Sequence, residues 1–117
     1  MKYFLPLIIA FSIFINPLNT LAEELILAGG CFWCLEHDLE SINGINDVQS
    51  GYSGGKLQNP TYENHDGHQE AVLVNYDSNL VSLPEILRLY MRNIDPLDGK
   101  GQFCDRGDSY RPVIFFK

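Results

Sequence analysis

The chain has 117 residues, 45% hydrophobic and 20% charged, a length that supports one domain with a modest core. Its 15 acidic against 8 basic side chains give a net charge of -7, which argues against nucleic acid and against docking on an anionic membrane surface. Its 3 cysteines cannot all pair within one chain, so a fully paired disulfide framework is excluded.

Residues 1–22 read as a secretory signal peptide. Lys2 opens it, an apolar run fills residues 3–15, and Thr20-Leu21-Ala22 closes it, with cleavage after Ala22. The run is shorter than the roughly 20 residues that cross a hydrocarbon core, which disfavours the alternative of a retained anchor. Cleavage removes Lys2 and leaves residues 23–117 as the mature domain. The expected compartment is oxidising, periplasmic or secreted, with no stable membrane insertion after cleavage.

Residues 24–28 (ELILA) form a short apolar strand that Gly29-Gly30 breaks in a tight turn. From 31 to 41, Leu35, Leu39 and Ile42 recur at helical spacing, and Asn43-Gly44 stops the helix. Residues 45–52 form a second strand. A long polar loop over 53–69 follows, of a length that in compact domains is functional or disordered. Residues 71–76 alternate as a third strand. Ser82 and Glu85 form a capping box for a second helix that buries Ile86, Leu87, Tyr90 and Ile94. A loop covers 95–111, and 113–116 is a last strand. The order β-α-β-β-α-β predicts an α+β fold, a two-layer ferredoxin-like α/β plait with both helices on one face of an antiparallel sheet.

The chemistry concentrates at Gly30-Cys31-Phe32-Trp33-Cys34. Cys31 sits where a strand turns into a helix, and a helix N-terminus favours the reactive thiolate. Phe32 and Trp33 can line an apolar cup for a small uncharged group. The competing reading is a buried cysteine with two core aromatics. Cys31-x-x-Cys34 admits four readings. Haem attachment fails because Leu35, not His, follows. Zinc ligation by Cys31, Cys34, Cys104, His65 and His68 lacks the usual partner spacing. A thioredoxin-like dithiol and a sulfur nucleophile with a spare thiol remain open. Glu70 borders an apolar strand, where partial burial would raise its pKa and suit it as a general acid, against the alternative of a solvated strand end. Arg106-Gly107-Asp108 matches an integrin-binding tripeptide by chance, and residues 95–108 lack EF-hand spacing.

Several motifs occur together and in order. They are Gly30-Cys31-Phe32-Trp33, Gly51-Tyr52 with Gly54-Gly55, Asn59-Pro60-Thr61-Tyr62, Gly67-His68 with Glu70, and Tyr76-Asp77. Asp95-Pro96, Gln102, Asp105-Arg106-Gly107 and Tyr110-Arg111 complete the set. Over residues 25–116 this resembles the peptide methionine sulfoxide reductase A family. The resemblance implies that Cys31 attacks the sulfur of methionine S-sulfoxide while Phe32 and Trp33 cradle its methyl group. It implies that Glu70, Tyr62 and Tyr110 hydrogen-bond and protonate the sulfoxide oxygen, with Asp105 positioning them. Cys31 would become a sulfenic acid, which a second thiol resolves. A thioredoxin-type or other dithiol would restore it. No metal or bound cofactor is expected. The implied partners are oxidised proteins or free methionine sulfoxide and the reductant, and a monomer is expected.

Three departures from the pattern matter. Cys34 stands where many members have Gly, and the loop between Tyr62 and Glu70 is short. Family domains also continue past the Tyr110-Arg111 motif into a tail that often carries the resolving cysteine, so a C-terminally shortened member is expected, its last apolar strand left without covering neighbours. Cys104 and Cys34 are then the candidate resolving thiols, and the neighbouring Asp105 favours Cys104. The alternatives to reduction are an inactive shortened member and a thioredoxin-like thiol–disulfide carrier.

Overall fold

A computed structural model describes residues 22–116, so the signal peptide expected over 1–22 lies outside the described residues except for Ala22. In chain order the elements are β1 (Ala22–Ala28), α1 (Phe32–Glu40), β2 (Ile45–Ser53), β3 (Gln69–Asp77) and α2 (Leu83–Asn93). Then come β4 (Gly101–Gln102), β5 (Asp105–Arg106), a 3-10 turn (Asp108–Tyr110) and β6 (Val113–Phe115).

The main sheet runs β2-β3-β1-β6, with every neighbouring pair antiparallel. With both helices packed into one core, this is the expected two-layer plait. On β3 the residues Val72, Val74 and Tyr76 alternate onto the helix-covered side and are buried. They meet Leu25 and Leu27 of β1, Phe32, Leu35 and Leu39 of α1, and Ile86 and Tyr90 of α2. The spacing of the α1 residues puts all three on one helix face. Ile42 and Leu87 are only partly buried against this cluster.

The capping box closes as its sequence predicts. Ser82 Oγ accepts from the Glu85 N–H at 3.3 Å, and the Glu85 carboxylate accepts from the Ser82 N–H at 3.4 Å. Ser82→Ala removes half of this reciprocal pair. It is expected to cost about 1 kcal/mol, read as a lower urea midpoint at unchanged slope.

Several boundaries differ from expectation. β1 begins at Ala22 rather than 24, because Ala22 and Glu23 pair with Asp77 and Tyr76. β3 begins at Gln69 rather than 71, because Gln69 and Glu70 pair with Ser53 and Tyr52. The expected loop over 95–111 contains a hairpin of two-residue strands and the 3-10 turn. β6 ends one residue before Phe116.

Candidate active site

Antiparallel register gathers the site at one end of the sheet. β1 ends where β3 begins, at Ala28↔Ala71, and β6 begins beside the same residue, at Ala28↔Val113. β2 ends there too, with Tyr52↔Glu70. Cys31, Tyr52, Glu70 and Tyr110 therefore sit at or next to strand ends that converge.

Cys31 is the N-cap of α1, half-buried, with its carbonyl accepting from the Leu35 N–H at 3.2 Å. The turn before it requires glycine. Gly30 has φ +88, and a Cβ there would lie 2.9 Å from Cβ of Gln102. Gln102 is itself buried and acts as a brace. Its Nε2 donates to the carbonyls of Asp95 at 2.8 Å and Gly101 at 2.7 Å, and its Oε1 accepts from the Asp95 N–H at 2.7 Å. From the other side, the Tyr90 hydroxyl donates to the Ala28 carbonyl at 2.5 Å. The Ala28–Gly30 segment that leads into the nucleophile candidate is thus braced by two buried hydrogen-bonding side chains. The sequence pattern marks Tyr90 only as a core residue and Gln102 only as part of the motif set.

Cys34 lies one turn along α1, exposed, with its side chain hydrogen-bonded to Cys31. That bond, then burial, then the negative charges of Cys31, Asp105 and Asp38 raise its pKa and hold its proton. Both thiols and Asp105 line a cavity of about 170 Å3 together with Gly30 and Gln102. Cys104, also a free thiol, is exposed at the turn of the β4–β5 hairpin. Structure brings Cys34 to Cys31 by direct contact, whereas Cys104 is not among the residues lining that cavity.

Glu70 is more enclosed than a strand-end residue, at 2% exposure on the same side of β3 as Val72 and Val74. Among the described residues its Oε2 has no hydrogen-bond partner. Burial raises its pKa and Asp105 adds to the rise, while His65 opposes it. Burial also raises Tyr110, followed by the charges of Glu70, Tyr62, Asp105 and Cys31. Tyr110 therefore feels every other side chain predicted to act in catalysis.

An aromatic group adjoins the thiols. Phe32 is 5% exposed and belongs to the core, with ring centroids 5.1 Å from Trp33, 5.6 Å from Tyr52 and 6.3 Å from Tyr62. Trp33 is 57% exposed and stacks on Tyr62 at 5.4 Å and 19°. Phe32 forms a floor, and Trp33 and Tyr62 stand above it as an open apolar wall. Tyr52, which sequence reading used only as part of a motif, joins this group.

The remaining candidates have local roles. His68 accepts from the Gly55 N–H through Nδ1 at 3.1 Å and donates to the Leu57 carbonyl through Nε2 at 2.9 Å, so it folds its own loop. Among the described residues no group of three or more His, Cys, Asp or Glu side chains is placed to hold a metal ion. Arg106 is held by the Asp98 carboxylate through both terminal guanidinium nitrogens, which engages the tripeptide at 106–108 within its own loop.

Fold and site together define a cysteine-based α/β plait, with a protected acid at the same sheet end as the thiol. The chain belongs to the peptide methionine sulfoxide reductase family, whose model matches residues 23–117. It is 50% identical over 97 residues to peptide methionine sulfoxide reductase MsrA 2 of Caulobacter vibrioides, covering 80% of this chain and 50% of that one. It is 51% identical over 98 residues to MsrA 2 of Staphylococcus aureus, covering 80% and 55%. Among solved structures, methionine sulfoxide reductase A of Corynebacterium diphtheriae superposes with a TM-score of 0.79 at 31% identity, covering 82% of this chain and 47% of that one. Reduced Mxr1 of Saccharomyces cerevisiae gives 0.74 at 28% identity, covering 81% and 59%. The chain spans about half the length of the curated relatives it matches.

Proposed function

We propose that this domain reduces methionine S-sulfoxide, free or within oxidised proteins, to methionine. The observation that carries the reading is Glu70, a buried carboxyl group with its pKa raised and one oxygen unpartnered, at the same sheet end as Cys31. Reducing a sulfoxide needs a nucleophile for sulfur and a proton for oxygen, and this pair supplies both. Family membership gives the reading its substrate.

Cys31 Sγ attacks the sulfoxide sulfur while Glu70, aided by the Tyr62 and Tyr110 hydroxyls, protonates the oxygen. Asp105 orients this set, and Trp33 and Phe32 take the methyl group. The substrate sulfur gains two electrons and leaves as methionine. Cys31 loses two and keeps the oxygen as a sulfenic acid. Cys34, already in contact with Cys31, then forms the disulfide and releases water. A thioredoxin-type dithiol returns both thiols to the reduced state. Residues 1–22 export the domain, so the reaction belongs to the periplasm or the exterior.

The full chain with N-acetylmethionine S-sulfoxide tests this: N-acetylmethionine is expected in the presence of dithiothreitol, and a Cys31–Cys34 disulfide after a single turnover without it. The Cys31–Cys34 contact also suits a thiol–disulfide carrier; reduction of insulin disulfides without sulfoxide turnover would establish that reading instead. Cys34→Ser should keep the first turnover but slow thioredoxin-driven cycling at least about tenfold, with the sulfenic acid captured by dimedone. A Cys31–Cys104 disulfide in the mass map would transfer the resolving role to Cys104.

A further inference from the structure

We propose that His65 is a positioning residue, clipping the loop that carries Tyr62 to the 3-10 turn that carries Tyr110. The inference rests on the reading of those tyrosines as proton-handling groups.

His65 Nδ1 lies 3.0 Å from the Thr61 carbonyl and 3.1 Å from the Tyr62 carbonyl, and its Nε2 lies 2.9 Å from Ser109 Oγ. Its ring stacks on Tyr52 at 4.7 Å and 21°. Carbonyls only accept, so Nδ1 carries a proton. In the neutral ring Nε2 accepts from the Ser109 hydroxyl. In the charged ring it donates, and the hydroxyl rotates. The clip therefore survives either charge state. One side chain ties together residues 61–62, β2 and the turn at 108–110, the segments that bring Tyr62, Tyr52 and Tyr110 to Glu70.

The clip has an electrostatic arm. Glu70 is faced by His65 from the loop, Tyr52 from β2, Asp105 from β5 and Tyr110 from the 3-10 turn. Of these, His65 is the group whose electrostatic influence opposes the effect of burial on Glu70. Around His65 itself lie Glu63 and Asp66 of the same loop, His68 beside β3 and Asp108 of the turn. The His65 ring thus pulls the Glu70 pKa down while burial and Asp105 push it up.

Two variants separate the arms. His65→Gln removes the ring and its electrostatic influence. Ser109→Ala removes the bridge to the turn and leaves both. With N-acetylmethionine S-sulfoxide and dithiothreitol, each should lower kcat about tenfold with a smaller change in KM, the result of loosened Tyr62 and Tyr110. Carbon-13 NMR of the Glu70 carboxyl should show its titration midpoint rising in His65→Gln and staying in place in Ser109→Ala. A general loss of stability would not produce that split. An unshifted Glu70 midpoint in a folded His65→Gln overturns the inference, and so does wild-type kcat. If the wild type itself leaves sulfoxide untouched, the functional reading fails, while the NMR comparison still decides whether His65 acts on Glu70.

Discussion

Replacing Cys31 with Ser is expected to lower sulfoxide reduction on the order of a thousandfold or more while leaving the fold intact. The argument is one of electron balance. Sulfur can take the oxygen and stop at a sulfenic acid, a reversible state that a neighbouring thiol clears. A serine oxygen would have to become a peroxide to take the same atom, so no stable product follows. The fold should tolerate the change because Cys31 is an N-cap with no side-chain capping bond of its own. Serine is a better N-cap than cysteine, so a small gain in stability is expected, about 0.5 kcal/mol. Product chromatography and thermal melts of C31S check both halves. Activity above a tenth of wild type would assign the attack to Cys34, which shares the cavity.

The legible parts of this molecule are those where side-chain period and burial agree. Leu35 and Leu39 on α1, and Ile86 and Tyr90 on α2, mark buried faces at helical spacing, and each is buried as its pattern implies. The capping box at Ser82 was readable for the same reason, since a local hydrogen-bond pattern leaves a local sequence signature. The start of β3 was not readable. His68-Gln69-Glu70 looks like the end of a polar loop, yet all three are buried. Their enclosure comes from β2 and the loops around them, and sequence spacing does not record it. The β4–β5 hairpin was hidden by its size and by its turn. Phe103 sits there at φ 52, a conformation that hairpin signals associate with Gly or Asn.

The site divides along the same line. Cys31 and its aromatics were legible because they are adjacent in sequence. The sequence marks Glu70 as a candidate acid but not its depth, because partial burial at a strand end is all that composition supports. The Cys34 contact with Cys31 depends on where an N-cap side chain points relative to the first turn of its helix, which spacing alone leaves open. In the sequence His65 stands out only as a possible metal ligand. Its partners, Tyr52 and Ser109, are distant in sequence and meet only at the converged sheet end.

Glu70→Gln is the second large effect. It is expected to lower kcat by about a hundredfold to ten-thousandfold, the range for removing a positioned general acid. The amide keeps the shape and hydrogen-bonding capacity of the carboxyl group and loses the transferable proton. The same variant should be more stable than wild type, with a gap that depends on pH. Burial raises the folded-state pKa of Glu70 above its unfolded value. Its contribution to stability is therefore fully present below the unfolded value and is lost as pH rises through the folded value. Above that point the wild type must hold a buried carboxylate with an unpartnered oxygen, whereas the amide variant has nothing to ionise. The stability difference between E70Q and wild type should be smallest in acid, widen across the window between the two pKa values, and level off beyond it. Urea midpoints on both sides of that window measure it directly. A pH-independent offset would mean that Glu70 ionises in the folded protein as it does in the unfolded chain, and the acid would have to be sought among Tyr62, Tyr110 and Asp105.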